Sequence, residues 1–278
     1  MVRGLATLLT LLVLAAPAAG ATAPRVVSLD YCADQYVLAL ADRAQILGLS
    51  TGPDEAYSAL RARAEGLPRL KDAAEDVITR EPGLIVRSYG GDARARRLYE
   101  RLGYPVHDLG FAQDFDDIRD TVRRTAQALG QRERGEALVA DMDAALARAA
   151  DGPAGRPAAL YVTPGGVTAG AGTLIHEMLT AAGFENVAAR DGGAGWRELP
   201  LEALVLDPPE LIVTGFFDQP VNQVDNWTST RHPVLRAQLA QTPTVHLEGA
   251  YLGCGAWFMA DAALEARRQA DALLGDGR

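Results

Sequence analysis

One short sequence pattern occurs twice in this chain and constrains its fold. Residues 75–88 read EDVITREPGLIVRS, and residues 202–215 read EALVLDPPELIVTG. Each copy starts with Glu, reaches Pro seven residues later and then enters a Leu-Ile-Val triplet. A helix that ends before proline and leads into a buried parallel strand produces this pattern. The copies begin 127 residues apart, too far for a solenoid repeat, so they predict two similar lobes with a cleft between them.

The N-terminal segment has the composition of a secretory signal peptide. It carries one positive charge at Arg3, an apolar run over residues 5–16 and a small-residue cleavage sequence at 19–21. The run is short for a bilayer span, and the alternative is a buried N-terminal helix. We expect residues 1–21 to be a Sec-type signal peptide and the mature protein to be periplasmic. No cysteine lies beside the cleavage position, so no lipid anchor is expected.

The charge and length of the chain limit its partners and its architecture. The formal net charge of −9 argues against nucleic acid as a partner. Roughly 255 residues remain after the signal peptide, which is enough for two lobes with cores of their own. Strands and helices alternate over residues 22–112 and again over residues 151–278, which predicts two α/β lobes with central parallel sheets.

The segment 113–150 between these lobes has a different pattern. Apolar residues recur every three or four positions, and Arg, Asp and Glu occupy the opposite face. We expect one long connecting helix over 113–150, kinked at Gly130 or formed by two helices in line. The alternative is a helical hairpin on one lobe.

Five segments occur in the order and spacing of a known protein class. They are RVVSL at 25–29, PGLIV at 82–86, LGYPV at 102–106, the long helical segment, and PELIV at 209–213. Through them the chain resembles the helical-backbone (class III) periplasmic solute-binding proteins, which serve ABC importers of ferric siderophores, heme and vitamin B12. The resemblance implies two Rossmann-like lobes joined by one long helix, with the ligand in the cleft and little closure. It also implies a monomeric binding protein without an intrinsic cofactor, not an enzyme.

The two Glu residues that open the repeats are candidates for docking. In the proteins that this chain resembles, one such Glu on each lobe reaches an arginine on each half of a permease dimer in the inner membrane. We therefore expect Glu75 and Glu202 to dock on an ABC permease, because exposed charges fix the register of an association. The alternative is local helix capping, since Glu75 follows Asp72 at the spacing of a capping box.

Loops after the carboxyl ends of parallel strands line ligand clefts, and aromatic residues are concentrated on these loops. Aromatic faces suit a flat chelate, so we expect a ferric siderophore or a heme-like iron complex as ligand. The segment 195–202 is also similar to the vitamin B12-binding member, which makes a corrinoid the alternative. That member has cysteine at the position of Ala182 and a further tryptophan in its first lobe. The expected ligand-binding residues are Tyr31, Tyr89, Trp196, Arg197, Phe216 and Tyr251.

A bare metal ion and a metal-handling enzyme of the chelatase kind are the remaining alternatives. A zinc or manganese carrier needs three or four converging His and carboxylate ligands. The four histidines are scattered, and no nucleophile motif or HExxH sequence occurs, so we expect neither a metal site nor catalysis. The histidines are His107, His176, His232 and His246.

The only two cysteines, Cys32 and Cys254, lie at opposite ends of the mature chain. Each follows the first or last predicted strand of its lobe, so we expect both on loops near the cleft mouth. In an oxidising compartment an even number of cysteines favours a disulfide. Free thiols, or thiolate ligands of a soft metal centre, are the alternatives.

Overall fold

The computed structural model shows two α/β lobes that pack against each other. It describes residues 23–71, 73–88, 93–152, 155–199, 201–218 and 232–275. The predicted signal peptide at 1–21 and Tyr89 lie outside these ranges. Within them, no helix combines the length and the apolar composition that a membrane span requires.

The N-terminal lobe is a four-stranded parallel sheet with the strand order β2-β1-β3-β4. The turn that leads from β1 into α1 is fixed by Asp30, whose side chain accepts hydrogen bonds from the backbone N–H groups of Ala33 and Ser88. The elements of this lobe are β1 (Val26–Ser28), α1 (Tyr31–Leu40), β2 (Ile46–Gly48), α2 (Ala74–Thr79), β3 (Leu84–Arg87), α3 (Ala93–Arg101) and β4 (Val106–Asp108).

The prediction of one long helix over 113–150 was wrong. The segment forms α4 (Phe115–Ala128) and α5 (Arg132–Ala150). Gly130 ends α4, because its φ of 72° lies in the left-handed region that favours glycine. The N–H of Gln131 then donates to the Ala126 carbonyl and the N–H of Gly130 to that of Gln127, the hydrogen-bond pattern of a Schellman cap.

Helices α4 and α5 pack as an antiparallel hairpin, but this hairpin contacts both lobes and does not lie on one lobe as the alternative had it. Arg119 pairs with Asp143, and Arg123, which comes later in α4, pairs with Glu136, which comes earlier in α5. The two helices therefore run in opposite directions. The start of α5 contacts the N-terminal lobe, and its length packs along the C-terminal lobe. The connection between the lobes is therefore α5 alone, about 28 Å long at 1.5 Å per residue.

The C-terminal lobe has a four-stranded parallel sheet with the order β10-β9-β5-β7 and a separate antiparallel pair, β6 and β8. The short strands β6, β7 and β8 were not predicted. The elements are β5 (Ala158–Val162), β6 (Val167–Ala169), α6 (Leu174–Ala181), β7 (Glu185–Asn186), β8 (Trp196–Glu198), α7 (Leu201–Leu206), β9 (Leu211–Gly215), α8 (Pro233–Gln241), β10 (Thr244–Leu247) and α9 (Met259–Gly275).

The two sheets have equivalent topologies, which confirms the prediction of two similar α/β lobes. In each, the strand of the repeated pattern, β3 or β9, lies beside the first strand of its lobe, β1 or β5. The last strand, β4 or β10, flanks it on the other side. The repeat also places Glu75 and Glu202 as the second residues of two six-residue helices, α2 and α7.

A single buried core links the lobes. It runs through the inner faces of both sheets and the layer formed by α1, α4, α5 and α9. Val26 and Val86 face this shared core, whereas Val27 and Ile85 face a smaller cluster on the outer side of the first sheet. The lobes are therefore joined by packing as well as by the chain.

Candidate ligand site between the lobes

A cavity of about 280 Å³ lies where the two lobes meet. On the N-terminal side its walls follow the carboxyl ends of β1, β3 and β4, the position at which open parallel sheets bind ligands. The residues that line it are Tyr31, Cys32, Tyr36, Ser88, Leu109, Gly110, Phe111, Ala112 and Thr121 from the N-terminal lobe and its hairpin, with Leu174, Gly253, Cys254 and Gly255 from the C-terminal lobe.

Helix α1 is bonded across this cavity to residues 253–255, and we call this arrangement the interlobe contact. The Tyr31 hydroxyl donates to the carbonyl of Gly253 over 3.2 Å. The Tyr36 hydroxyl donates to the carbonyl of Gly255 over 3.0 Å, and the Tyr36 ring packs edge-on against Trp257. Burial raises the pKa of Tyr36, so its hydroxyl stays protonated and remains a donor.

The interlobe contact also contains a disulfide. Cys32 and Cys254 are bonded, with their Cα atoms 5.4 Å apart, and both line the cavity. The alternatives for these cysteines were a disulfide, free thiols and thiolate ligands of a metal, and the structure contains the disulfide. Cys254 lies on a loop as expected, but Cys32 lies in the first turn of α1, because Asp30 caps the helix directly before it.

The predicted ligand-binding residues are only partly brought together. Tyr31 lines the cavity. Phe216 lies close by: its Cε1 is 3.8 Å from the position that a Cβ on Gly253 would occupy. Tyr251 instead lines a separate cavity of about 410 Å³ beside β10 and α9.

The other predicted ligand residues lie on the exposed β8 strand. Trp196 is 54% exposed, and its ring centroid lies 6.2 Å from that of Tyr161 in β5. Arg197 is the next residue and is also exposed. Neither residue lines the interlobe cavity.

Several cavity residues were not predicted. Leu109, Gly110 and Ala112 directly follow β4, so the rule that selected Tyr31 would have found them. Gly253 and Gly255 carry no local signal, because they meet α1 only in the folded chain. Gly255 in particular packs tightly, since a Cβ there would come within 2.7 Å of Leu174.

One carboxyl group on α1 is buried. Asp34 on α1 is fully buried and accepts hydrogen bonds from the backbone N–H of Ser50 at 3.0 Å and from its hydroxyl at 2.5 Å. Burial raises the pKa of Asp34 to about 6, although the hydrogen bonds from Ser50 oppose this shift. The Asp34 carboxyl therefore titrates well above the usual range of an aspartate.

The histidines have separate local partners. His107 bonds the Thr125 hydroxyl, and burial lowers the pKa of its imidazole. His176 contacts Asn186, and His246 contacts the Thr214 hydroxyl. Within the described ranges, no group of three or more His, Cys, Asp or Glu side chains is arranged to hold a metal ion.

The repeated Glu residues differ in how far they are described. Glu75 is exposed in the first turn of α2. The N-cap residue of this helix is Ala73, whose side chain has no hydrogen-bond acceptor. A capping box with Glu75 as its third helical residue would need the N-cap at position 72, so the helix starts one residue too late for it. Glu202 lies at the equivalent backbone position of α7, and its side chain is outside the described part of the structure.

Comparison with known proteins adds to this geometry. A family model described as periplasmic binding protein matches residues 26–244, which include the first sheet, the helical hairpin and the second sheet as far as the first residue of β10. The chain belongs to the periplasmic binding protein family. This agrees with two α/β lobes that meet at a shared cavity.

A curated relative is the cobalamin-binding protein of Halobacterium salinarum. It is 26% identical to this chain over 197 residues, which cover 69% of this periplasmic binding protein and 53% of the relative. The chain thus matches about half the length of this relative.

Two solved structures show the same fold. A periplasmic heme-binding protein from Roseiflexus sp. RS-1 superposes with a TM-score of 0.66 at 22% identity, covering 89% of this chain and 99% of that one. A protein of an ABC-type Fe3+-hydroxamate transport system from Saccharomonospora viridis gives 0.67 at 20% identity, covering 89% and 93%. At these identities the similarity establishes the architecture.

Proposed function

We propose that this chain is the periplasmic substrate-binding component of an ABC importer and captures an iron chelate, a ferric siderophore or a heme-like complex. The observation that carries this proposal is the cavity built jointly by both lobes. Its walls come from strand ends of the N-terminal lobe and from the start of α6 and the loop 253–255 of the C-terminal lobe. The proposed role is capture and release without catalysis.

Exposed aromatic rings on both lobes favour a flat ligand. Phe111 at the cavity is 58% exposed, Trp196 is 54% exposed, and Phe217 after β9 is 42% exposed. Such rings supply apolar contact at little cost in conformational entropy and suit the faces of planar chelates. The enclosed volume would hold one edge of a chelate, with the remainder lying across these rings.

Delivery to the permease is proposed to use Glu75 and Glu202. Their equivalent positions on α2 and α7 give each lobe one carboxylate at the same place in its fold. A two-fold permease dimer in the inner membrane would then contact a monomeric binding protein through one arginine on each half. Export to the periplasm is proposed to depend on the signal sequence at 1–21.

A corrinoid is the second candidate ligand. It is favoured by the relative from Halobacterium salinarum, which is a cobalamin-binding protein and is 26% identical over the matched residues. The two proposals give this chain the same fold and the same delivery route, and they differ only in the chelate that it binds.

Tryptophan-fluorescence titration of the purified mature protein separates these ligands. The probes are a ferric trihydroxamate siderophore, hemin and cyanocobalamin, with free Zn²⁺ and Mn²⁺ as bare-ion controls. Saturable 1:1 binding of a siderophore or hemin supports the first candidate, and selective binding of cyanocobalamin supports the second. Binding of the bare ions alone would contradict both.

A further inference from the structure

The Tyr161 side chain in β5 is fully buried, and within the described ranges its hydroxyl has no hydrogen-bond partner. Buried polar groups are nearly always paired, so a group without a partner requires an explanation. The hydroxyl lies at the carboxyl end of β9, where a Cβ on Gly215 would come within 2.4 Å of it. Burial raises the pKa of Tyr161, so the hydroxyl stays protonated and can only act as a neutral donor or acceptor.

The turn next to this hydroxyl has an unusual backbone conformation. Phe216 directly follows Gly215 and has a φ of 66°, in the left-handed region that bulky residues rarely adopt. Strained residues of this kind are concentrated at ligand sites and switch regions. The Phe216 ring is close to Gly253, which lines the interlobe cavity. Phe216 therefore connects the cavity wall to the turn that covers the Tyr161 hydroxyl.

A second aromatic ring contacts the ring of Tyr161. Trp196 packs on it at an interplanar angle of 70°, and more than half of the Trp196 side chain is open to solvent. Of the aromatic residues predicted from the sequence, Trp196 thus contacts the Tyr161 ring, and Phe216 directly follows the glycine that lies against the Tyr161 hydroxyl. Tyr161 itself was not predicted.

We propose that the Tyr161 hydroxyl is the hydrogen-bond donor of the C-terminal lobe to the bound chelate, and that it becomes accessible when the turn at Gly215 and Phe216 moves. This inference rests on the proposed function. The recognised group is an acceptor oxygen at the edge of a planar metal chelate, while Trp196 and Phe216 contact its flat face. The phenol donates a proton in a hydrogen bond and does not act as a tyrosinate ligand of the metal.

Two features of the free protein would then favour the bound state. Binding relieves the left-handed conformation of Phe216, and it supplies the missing partner of the Tyr161 hydroxyl. The Phe216 conformation and the pairing of the Tyr161 hydroxyl both change when the turn moves, so ligand binding and movement of the turn are coupled.

The test compares Tyr161→Phe with Tyr104→Phe. The Tyr104 hydroxyl, outside the cavity, bonds the carbonyl of Ile78 over 3.2 Å and is the matched control. We measure the Tm of the free protein and the Kd for hemin, a ferric trihydroxamate siderophore and cyanocobalamin. Tyr161→Phe is expected to keep or raise the Tm and to weaken binding of the preferred chelate about tenfold. Tyr104→Phe is expected to lower the Tm and leave the Kd unchanged.

Two results would overturn the assignment of Tyr161 alone. One is an unchanged Kd in Tyr161→Phe when the wild-type protein binds a chelate. The other is a fall in Tm as large as that of Tyr104→Phe, which would show that the hydroxyl already has a structural partner such as buried water. If the wild-type protein binds none of the three chelates, the proposed function fails, and the role of Tyr161 fails with it.

Discussion

The Cα atoms of Cys32 and Cys254 lie 5.4 Å apart in the wall of the interlobe cavity, although the two residues are 222 positions apart in the sequence. The hydroxyls of Tyr31 and Tyr36 bond the carbonyls on either side of Cys254. The disulfide and the two hydrogen bonds therefore join the lobes at the same wall of the cavity. These bonds limit how far the two lobes can separate.

Replacing both cysteines by serine is expected to lower the free energy of unfolding by up to about 5 kcal/mol, because the bridge closes a very long loop. Urea denaturation of the wild type and the Cys32→Ser/Cys254→Ser variant measures this. Thiol titration of the denatured wild type should detect no reactive thiol before reduction and two after it. Two reactive thiols before reduction would show that the bridge does not form.

Asp34→Asn is expected to change how stability depends on pH. In the folded protein the pKa of Asp34 is raised to about 6 from an ordinary value of 3.8. The folded state then binds the proton more tightly than the unfolded chain, so its stability falls as pH rises from about 4 to about 6. The asparagine can keep the hydrogen bond from the Ser50 N–H.

The Asp34→Asn variant should therefore match the wild type near pH 4 and exceed its free energy of unfolding by about 2–3 kcal/mol at pH 8. Urea denaturation at the two pH values provides the comparison. An equal difference between variant and wild type at both pH values would contradict the raised pKa.

The hairpin formed by α4 and α5 predicts coupling between Ala126 and Gly135. A Cβ on Gly135 would lie 2.4 Å from the Cβ of Ala126, so Gly135→Ala should cost about 1–2 kcal/mol of stability. Ala126→Gly should cost about 1 kcal/mol through helix propensity. In the double variant the clash is absent, and the loss should be smaller than the sum. Strict additivity would contradict the hairpin, since a continuous helix would place these residues about 13 Å apart.

Local sequence patterns were sufficient to predict every strand of the two four-stranded sheets except the two-residue β7, but they did not predict the hairpin. A Leu-Ile-Val triplet after proline reflects burial on both faces of a strand, and this holds wherever the strand is placed. The amphipathic pattern of 113–150 is the same for a straight helix and for two helices packed side by side. Whether a straight helix or a hairpin forms depends on the left-handed conformation of Gly130 and on the close approach of Gly135 to Ala126.

Permease docking is expected to require Glu75 and Glu202. The Glu75→Ala/Glu202→Ala variant should bind its chelate with the affinity of the wild type, because Glu75 is exposed on α2 away from the residues that line the interlobe cavity, and Glu202 has the equivalent backbone position on α7. Transport should be lost, because each half of the permease then lacks its charged partner. Uptake of labelled chelate into cells that express the permease measures transport.

The matched control for docking is Glu65→Ala/Glu133→Ala. Both residues are exposed. Glu65 lies outside the regular helices, and Glu133 lies in the first turn of α5. This variant removes the same charge and should transport normally. Normal transport by Glu75→Ala/Glu202→Ala, with a wild-type Tm, would refute the docking role.

The ligand site was less predictable than the fold because its residues are far apart in the sequence. Tyr31 could be selected from its position after β1. The roles of Tyr36 and Tyr161 depend on residues 253–255 and on Gly215, which come near them only after folding. Tyr251 follows β10 by the same rule as Tyr31 but faces another cavity, since the short helix Gly249–Tyr251 turns its ring toward Phe258.

Capture of a chelate in the interlobe cavity is tested most directly by calorimetric titration of the wild type, Ala112→Trp and Ala44→Trp. Ala112 lines the cavity opposite Gly255, whereas Ala44 is exposed on the N-terminal lobe. We predict that the wild type binds a siderophore, hemin or cyanocobalamin 1:1 with a Kd of about 1 μM or lower. Ala112→Trp should weaken this binding about 100-fold, and Ala44→Trp should leave it unchanged. Failure of the wild type to bind any of them, or wild-type affinity in a folded Ala112→Trp, would contradict the account.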